Sequence, residues 1–212
     1  MNGLDAVLSA ARPLLAPAFT LWGSGITWLE IVAFAVAVAM VLANFRVHPI
    51  AWPLAMLSSL MYALLFADSK LYGEAGLQFV FIAVACWGWW QWLRGRGDDG
   101  ALLRVHHLSR SGLLALGAAT LAAWPLLGLL LSRATDSDVP YFDALPTVGS
   151  LAGQLLLARK CVENWPVWVG VNIVSVALFA SKGLWLTVLL YALFTVLALV
   201  GWRRWRALAA AR

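Results

Sequence analysis

Trp165, Trp168, Asn172 and Ser175 follow one another at steps of three and four, so a helix carrying them would present all four on one face. Indole faces stack on flat rings and attract cations. Carboxamide side chains both donate to and accept from hydroxyl and amide groups. Similar faces recur along the chain. Trp52, Ser59 and Tyr62 form one, Thr147, Ser150 and Gln154 a second, and Thr187, Tyr191 and Thr195 a third, while Gln78 stands in the register of Tyr191. This chemistry suits binding of a flat, polar, aromatic ligand. It does not suit bond-breaking: the chain has no GxSxG, GxxxxGK[ST] or HExxH pattern. His48, His106 and His107 fall in polar connections and read as solvated, as do Asp98 and Asp99. Cys86 and Cys161 match neither disulfide nor zinc spacing and read as small apolar residues. We therefore expect no catalytic residue, no metal and no cofactor.

The elements that carry these faces are membrane helices. Of 212 residues, 63% are hydrophobic and 12% charged, far from the roughly one-half and one-quarter of a soluble domain. Disorder needs the opposite balance. A span takes about 20 mostly apolar residues, and seven segments qualify: 27–44, 50–67, 75–93, 113–132, 142–158, 166–180 and 184–202. The fold class expected is all-α and integral to the membrane. Residues 1–26, with Pro13 and Pro17, read as an N-terminal interfacial segment. The start lacks the basic-then-apolar order of a cleavable signal, so the first span is expected to act as its own insertion signal.

A shift of 113 residues lays the chain on itself. Trp52-Pro53 meets Trp165-Pro166, Leu65-Phe66-Ala67 meets Leu178-Phe179-Ala180, Gly88-Trp89 meets Gly201-Trp202, Trp92 meets Trp205 and Arg46 meets Arg159. The register holds without a gap from 28–93 to 141–206. The expected organisation is therefore a three-helix repeat at 27–93, a cytoplasmic loop and linker helix at 94–140, a second repeat at 141–206 and a tail at 207–212. Three helices end on the side opposite their start and one linker helix returns the chain, so the repeats run parallel. Four of the Lys and Arg residues (Arg12, Lys70, Arg133, Lys182) fall on the N-terminal side and the other eleven on the opposite side. The positive-inside rule then puts the N-terminus outside and the C-terminus in the cytoplasm, in a bacterial inner membrane, and explains the net charge of +5 without nucleic acid.

Polar side chains within a span are costly and so point to function. Each also has a plainer reading: Ser and Thr bond back to their own helix, Asn and Gln join helices, and terminal Trp forms an interfacial belt. Their recurrence at matched repeat positions favours a lined cavity. Gly149-Ser150-Leu151-Ala152-Gly153 reads as a GxxxG packing contact. The linker helix is a contrast, since from 113 to 131 its only polar side chain is Thr120. No Asp, Glu, Lys or Arg falls at mid-span; Glu30 and Asp143 sit at outer ends. Without a buried ionisable relay the expectation is facilitated diffusion. A non-transporting scaffold or sensor is the competing class.

The run Arg159-Lys160, Glu163-Asn164-Trp165-Pro166-Val167-Trp168, Asn172, then Lys182-Gly183-Leu184-Trp185-Leu186-Thr187 and Tyr191 resembles the PnuC family of bacterial nicotinamide riboside transporters. Trp52-Pro53, Tyr62, Leu77-Gln78 and Gly88-Trp89-Trp90 fit as well, and the resemblance covers about 27–206. It implies a 3+1+3 arrangement similar to the SWEET sugar transporters, a homotrimer, and facilitated diffusion of a vitamin trapped by cytoplasmic phosphorylation. By that resemblance Trp165, Trp168 and Asn172 line the pocket, with Gln78, Gln154 and Tyr191 contributing. Thr147, Ser59, Tyr62 and Ser175 complete the candidate set, Tyr62 and Ser175 being the pair that differs between halves. Relatives of that family carry thiamine, riboflavin or deoxynucleosides, and an aromatic lining does not by itself separate these substrates.

Overall fold

The computed structural model describes residues 3–21, 23–68, 72–97, 100–134, 139–181 and 185–211. Lys70, Asp98, Asp99, Lys182, Gly183, Leu184 and Arg212 lie outside the described residues. Eight α-helices and one short hairpin make up the described chain: α1 (Gly3–Leu15), β1 (Pro17–Leu21), β2 (Ser24–Thr27), α2 (Trp28–Phe45), α3 (Ala51–Asp68), α4 (Tyr72–Arg94), α5 (Arg110–Ala134), α6 (Pro140–Ala158), α7 (Asn164–Ser181) and α8 (Trp185–Ala210). Helices α2 to α8 fall where the seven spans are expected, with ends shifted by a few residues. Four of the described helices are long and apolar enough to cross a membrane: Trp28–Phe45, Ala51–Asp68, Arg110–Ala134 and Val188–Ala210. The polar residues of α4 and α6, among them Gln78, Gln91, Asp143 and Gln154, dilute the hydropathy of those helices.

Within residues 1–26 the described part carries α1 and most of the hairpin. After α1, β1 and β2 pair antiparallel with Thr20 opposite Gly25 and Leu21 opposite Ser24, and Gly23 takes a φ of +85° in the turn, a conformation open to glycine. Thr27 then starts α2 with a capping box. Its Oγ1 accepts from the Glu30 amide at 3.2 Å, and its own amide donates to Glu30 Oε2 at 2.7 Å. Two otherwise unpaired amides are satisfied together.

Helices α2, α3 and α4 pack as one group and α6, α7 and α8 as another, while α5 packs chiefly on α6. Across the groups α2 meets α8 and α4 meets α6. The local geometry repeats 113 residues on. Val47 and Lys160 are the two non-glycine residues with positive φ among the described residues, at 53° and 56°. Each follows a helix end, and each amide donates to the residue three before it, Val47 to Asn44 O at 3.0 Å and Lys160 to Leu157 O at 2.9 Å. Trp52 lies against Gly88 as Trp165 lies against Gly201. A side chain at either glycine would overlap the indole. The core binds both groups through Phe45, Trp52, Trp92, Trp165 and Trp205.

Candidate functional site

The site is built where α7 meets α6, α8 and α2. In α7, Asn164 opens the helix, its Nδ2 donating to the Cys161 carbonyl at 2.7 Å. That bond fixes the amide and turns its Oδ1 away. Trp165 and Trp168 follow, then Asn172 one turn on. In α6, the GxxxG glycines bring α7 close: a Cβ on Gly149 would meet Val171, and one on Gly153 would meet the Trp168 ring at 2.9 Å. Gly153 thus leaves room for Trp168 to lie flat beside α6. In α8, Tyr191 is held by Phe179 at 5.2 Å and Phe194 at 6.1 Å between ring centroids.

These side chains enclose a cavity of about 130 Å³. Trp165, Trp168, Asn172, Gln154 and Tyr191 line it, together with Ser150 and Phe194, and α2 adds Met40, Val41 and Asn44. The lining contains no Asp, Glu, Lys or Arg. Four buried polar atoms of the lining have no hydrogen-bond partner: Asn44 Oδ1, Gln154 Oε1, Asn164 Oδ1 and Trp165 Nε1. An unsatisfied buried polar group costs about 1–3 kcal/mol. Three acceptors and one donor on residues that border one space are the polar groups there with no partner of their own.

Five sequence candidates come together there and five do not. Thr147 Oγ1 donates to Asp143 O at 3.2 Å in its own helix, the back-bonding habit of threonine. Ser175 is buried but lies nearly a turn beyond Asn172, outside the lining. Ser59, Tyr62 and Gln78 are half-buried on α3 and α4 and do not line the cavity. In their place the first helix group contributes α2. Asn44 and Asn164 lie outside the candidate set: the sequence offers Asn164 only as part of the family motif and Asn44 only as the end of the first span. Their signal was adjacency: Asn164 precedes Trp165, and Asn44 is buried one residue before Phe45.

Glu163 sits beside the cavity without lining it. Its Oε1 takes the His107 Nδ1 at 2.8 Å and its Oε2 accepts the Leu108 amide at 2.9 Å. His106 pairs backbone to backbone with this loop, its amide donating to Lys160 O at 3.2 Å and its carbonyl accepting the Val162 amide at 2.9 Å. His106 and His107 thus tie their loop across the start of α7, while the His107 side chain stays exposed, as expected. Lys160 Nζ donates to Leu103 O at 2.9 Å and stands 5.2 Å from the centre of the Trp92 ring; burial lowers its pKa. Burial likewise pushes the Cys161 thiol up to about 11, with Glu163 adding to the rise and Arg159 opposing it.

The model of the nicotinamide mononucleotide transporter family matches residues 27–207. The chain belongs to this family. It is a multi-pass membrane transporter of the PnuC type, a family of transporters and not of enzymes. Similar proteins include the nicotinamide riboside transporter PnuC of Escherichia coli (strain K12), 28% identical over 169 residues covering 68% of this chain and 71% of the relative. The riboflavin/roseoflavin transporter RibM of Streptomyces davaonensis is 32% identical over 197 residues, covering 91% of each. The crystal structure of the vitamin B3 transporter PnuC has the same fold, with a TM-score of 0.72 and 21% identity over 99% of this chain and 91% of that one.

Proposed function

We propose that this transporter carries nicotinamide riboside by facilitated diffusion. The observation that carries the reading is the set of partnerless polar atoms on Asn44, Gln154, Asn164 and Trp165 around one aromatic-walled cavity. Ribose hydroxyls and a carboxamide supply the donors that the three oxygens lack. A cationic pyridinium ring suits the faces of Trp165 and Trp168. A lining without Asp, Glu, Lys or Arg supports uniport, because a proton-coupled carrier ordinarily uses such a group to take the proton. The substrate site comprises Trp165, Trp168, Asn172, Gln154 and Tyr191 with Asn44 and Asn164; Tyr62, near Tyr191, and Gln78, Ser59, Ser175 and Thr147 act only if they turn inward during the cycle.

Riboflavin is the second reading, favoured by the likeness to RibM over nearly the whole chain. The cavity volume opposes it. About 130 Å³ is on the scale of a single aromatic ring, a cavity of roughly 150 Å³ being enough for benzene, so nicotinamide riboside must itself widen the site and the tricyclic flavin ring must widen it further.

The transporter is read as seven spans in a 3+1+3 arrangement, two parallel three-helix repeats at 27–93 and 141–206 joined by α5. The recurrence of the Val47 and Lys160 backbone geometry supports that division. It works in a bacterial inner membrane as a homotrimer, N-terminus outside and arginine-rich face inside, where phosphorylation traps the product.

Calorimetry on detergent-purified protein tests the substrate with nicotinamide riboside, thiamine, riboflavin and a deoxynucleoside. Binding of nicotinamide riboside that is lost in Trp168→Ala supports the reading. Binding of riboflavin alone replaces the substrate and keeps the site. No binding by folded protein refutes both.

A further inference from the structure

Two indole hydrogen bonds join the helix groups at one end of the molecule. Trp92, near the end of α4, donates Nε1–H to Leu157 O at the end of α6, at 3.0 Å. Trp205, near the end of α8, donates Nε1–H to Asn44 O at the end of α2, at 2.9 Å. The donors are 113 residues apart and so are the acceptors. Each carbonyl already accepts the amide of the positive-φ residue that follows it, so the indole takes its second lone pair. Both bonds are buried, and together they are reciprocal: each group donates once to the other.

The same indoles form a continuous layer. Trp52 meets Trp92 edge-on with centroids 5.5 Å apart, Trp92 meets Trp205 at 6.1 Å, Trp205 meets Trp165 at 5.5 Å, and Phe45 meets Trp165 at 5.5 Å. The layer crosses from one helix group to the other. It lies against one end of the cavity through Trp165. The lining of α8 stops at Ala198, and Trp205 lies nearly two turns further toward the arginine-rich end. Trp165 belongs to both, with one side on the cavity and the other on the layer. From beyond, Val105 packs into the layer and Lys160 caps Trp92.

We infer that Trp92 and Trp205 are the gate residues for release toward the arginine-rich face: a substrate in this cavity leaves on that side only when both reciprocal bonds break and the indole layer parts. The inference rests on the cavity being the substrate site. The pairing makes opening concerted, because moving one helix group away from the other breaks both bonds together, while contacts at the opposite end are free to form. A barrier shared equally between two equivalent bonds requires that either donor, when removed, speed opening by a similar factor.

The test needs no substrate. A single cysteine, Ala198→Cys, in a background with Cys86→Ser and Cys161→Ser, reports access to the cavity. A membrane-impermeant maleimide is applied to inside-out and right-side-out vesicles. Trp92→Phe and Trp205→Phe keep a ring and remove the donor. Each is expected to raise labelling from the arginine-rich face about two- to tenfold, the factor for one ordinary net hydrogen bond, and to leave labelling from the other face unchanged. Benzothienylalanine at position 92 or 205, which keeps the bicyclic shape and replaces N–H by sulfur, separates the donor from packing and should give the same rise. Unchanged labelling in the benzothienylalanine variants, or an equal rise from both faces, overturns the gate. Failure of nicotinamide riboside to bind, with the labelling response intact, refutes the substrate and leaves the gate standing.

Discussion

Gly201 of α8 lies directly beneath the Trp165 ring, so that a Cβ at position 201 would overlap the indole. Glycine inside a helix ordinarily costs about 0.5–1 kcal/mol relative to alanine, and Gly201→Ala would gain that. Here the sign reverses. The Trp165 ring is buried and walled by Phe45 and Trp205, so overpacking should cost about 1–3 kcal/mol. Gly117→Ala in α5, where the new methyl meets nothing within 4 Å, is the control and should be neutral or stabilising. Thermal unfolding in detergent reads both. A midpoint for Gly201→Ala at or above the parent would show that the indole is free to move aside.

Asn172 and Trp168 should separate binding from folding. Asn172 is buried and faces the cavity, and Asn172→Ala removes hydrogen-bonding groups worth about 1–3 kcal/mol to a ligand. Affinity and uptake should fall roughly ten- to a hundredfold with the melting midpoint nearly unchanged. Trp168→Phe should keep part of the affinity, and Trp168→Ala little of it. A loss of folded protein that matches the loss of uptake would make Asn172 a packing residue instead.

The helix framework was legible because duplication left large, distinctive residues in register. Trp-Pro at 52–53 and 165–166 and Gly-Trp at 88–89 and 201–202 mark places where indole and glycine must fit together, and such a fit tolerates few alternatives. The α7 face was legible because polar residues within a span need a reason. The contribution of α2 was not. Symmetry suggested that Ser59, Tyr62 and Gln78 would mirror Asn172, Ser175 and Tyr191, yet Ala55 stands where the second group has Trp168, and the cavity borders α2 instead. The hairpin at 17–27 was hidden as well. Pro17 breaks α1, and the strands are too short for alternation to stand out.

Cys161 should resist alkylation. Its thiol is buried and held up to about 11, so at pH 8 only about a thousandth is thiolate, against roughly a quarter for an ordinary cysteine. Iodoacetamide on folded protein at pH 8 should leave Cys161 unmodified over hours, and modification should follow unfolding in detergent. Mass spectrometry of the peptide spanning the residue decides it. Rapid labelling of folded protein would mean that the loop at 159–163 opens readily.

Glu163 should hold the loop at 103–108 in place. Both of its oxygens are used, one on His107 and one on the Leu108 amide, and its neighbour Asn164 borders the cavity. Glu163→Gln keeps the size and removes the charge, so the bond from the Leu108 amide weakens to a neutral one, and the amide nitrogen meets His107 only in the tautomer with Nδ1 unprotonated. The pair is partly exposed, with side-chain exposures of 18% for Glu163 and 59% for His107, so solvent screening limits the cost to about 1 kcal/mol. The sharper readout is local. Hydrogen exchange at the Leu108 and Val162 amides, one bonded to Glu163 and the other to His106 O, should rise several-fold, while α5 amides stay unchanged. His107→Ala should do much less, because Leu108 keeps its bond. Equal exchange in Glu163→Gln and the parent would show that the His106 backbone pairing holds the loop by itself.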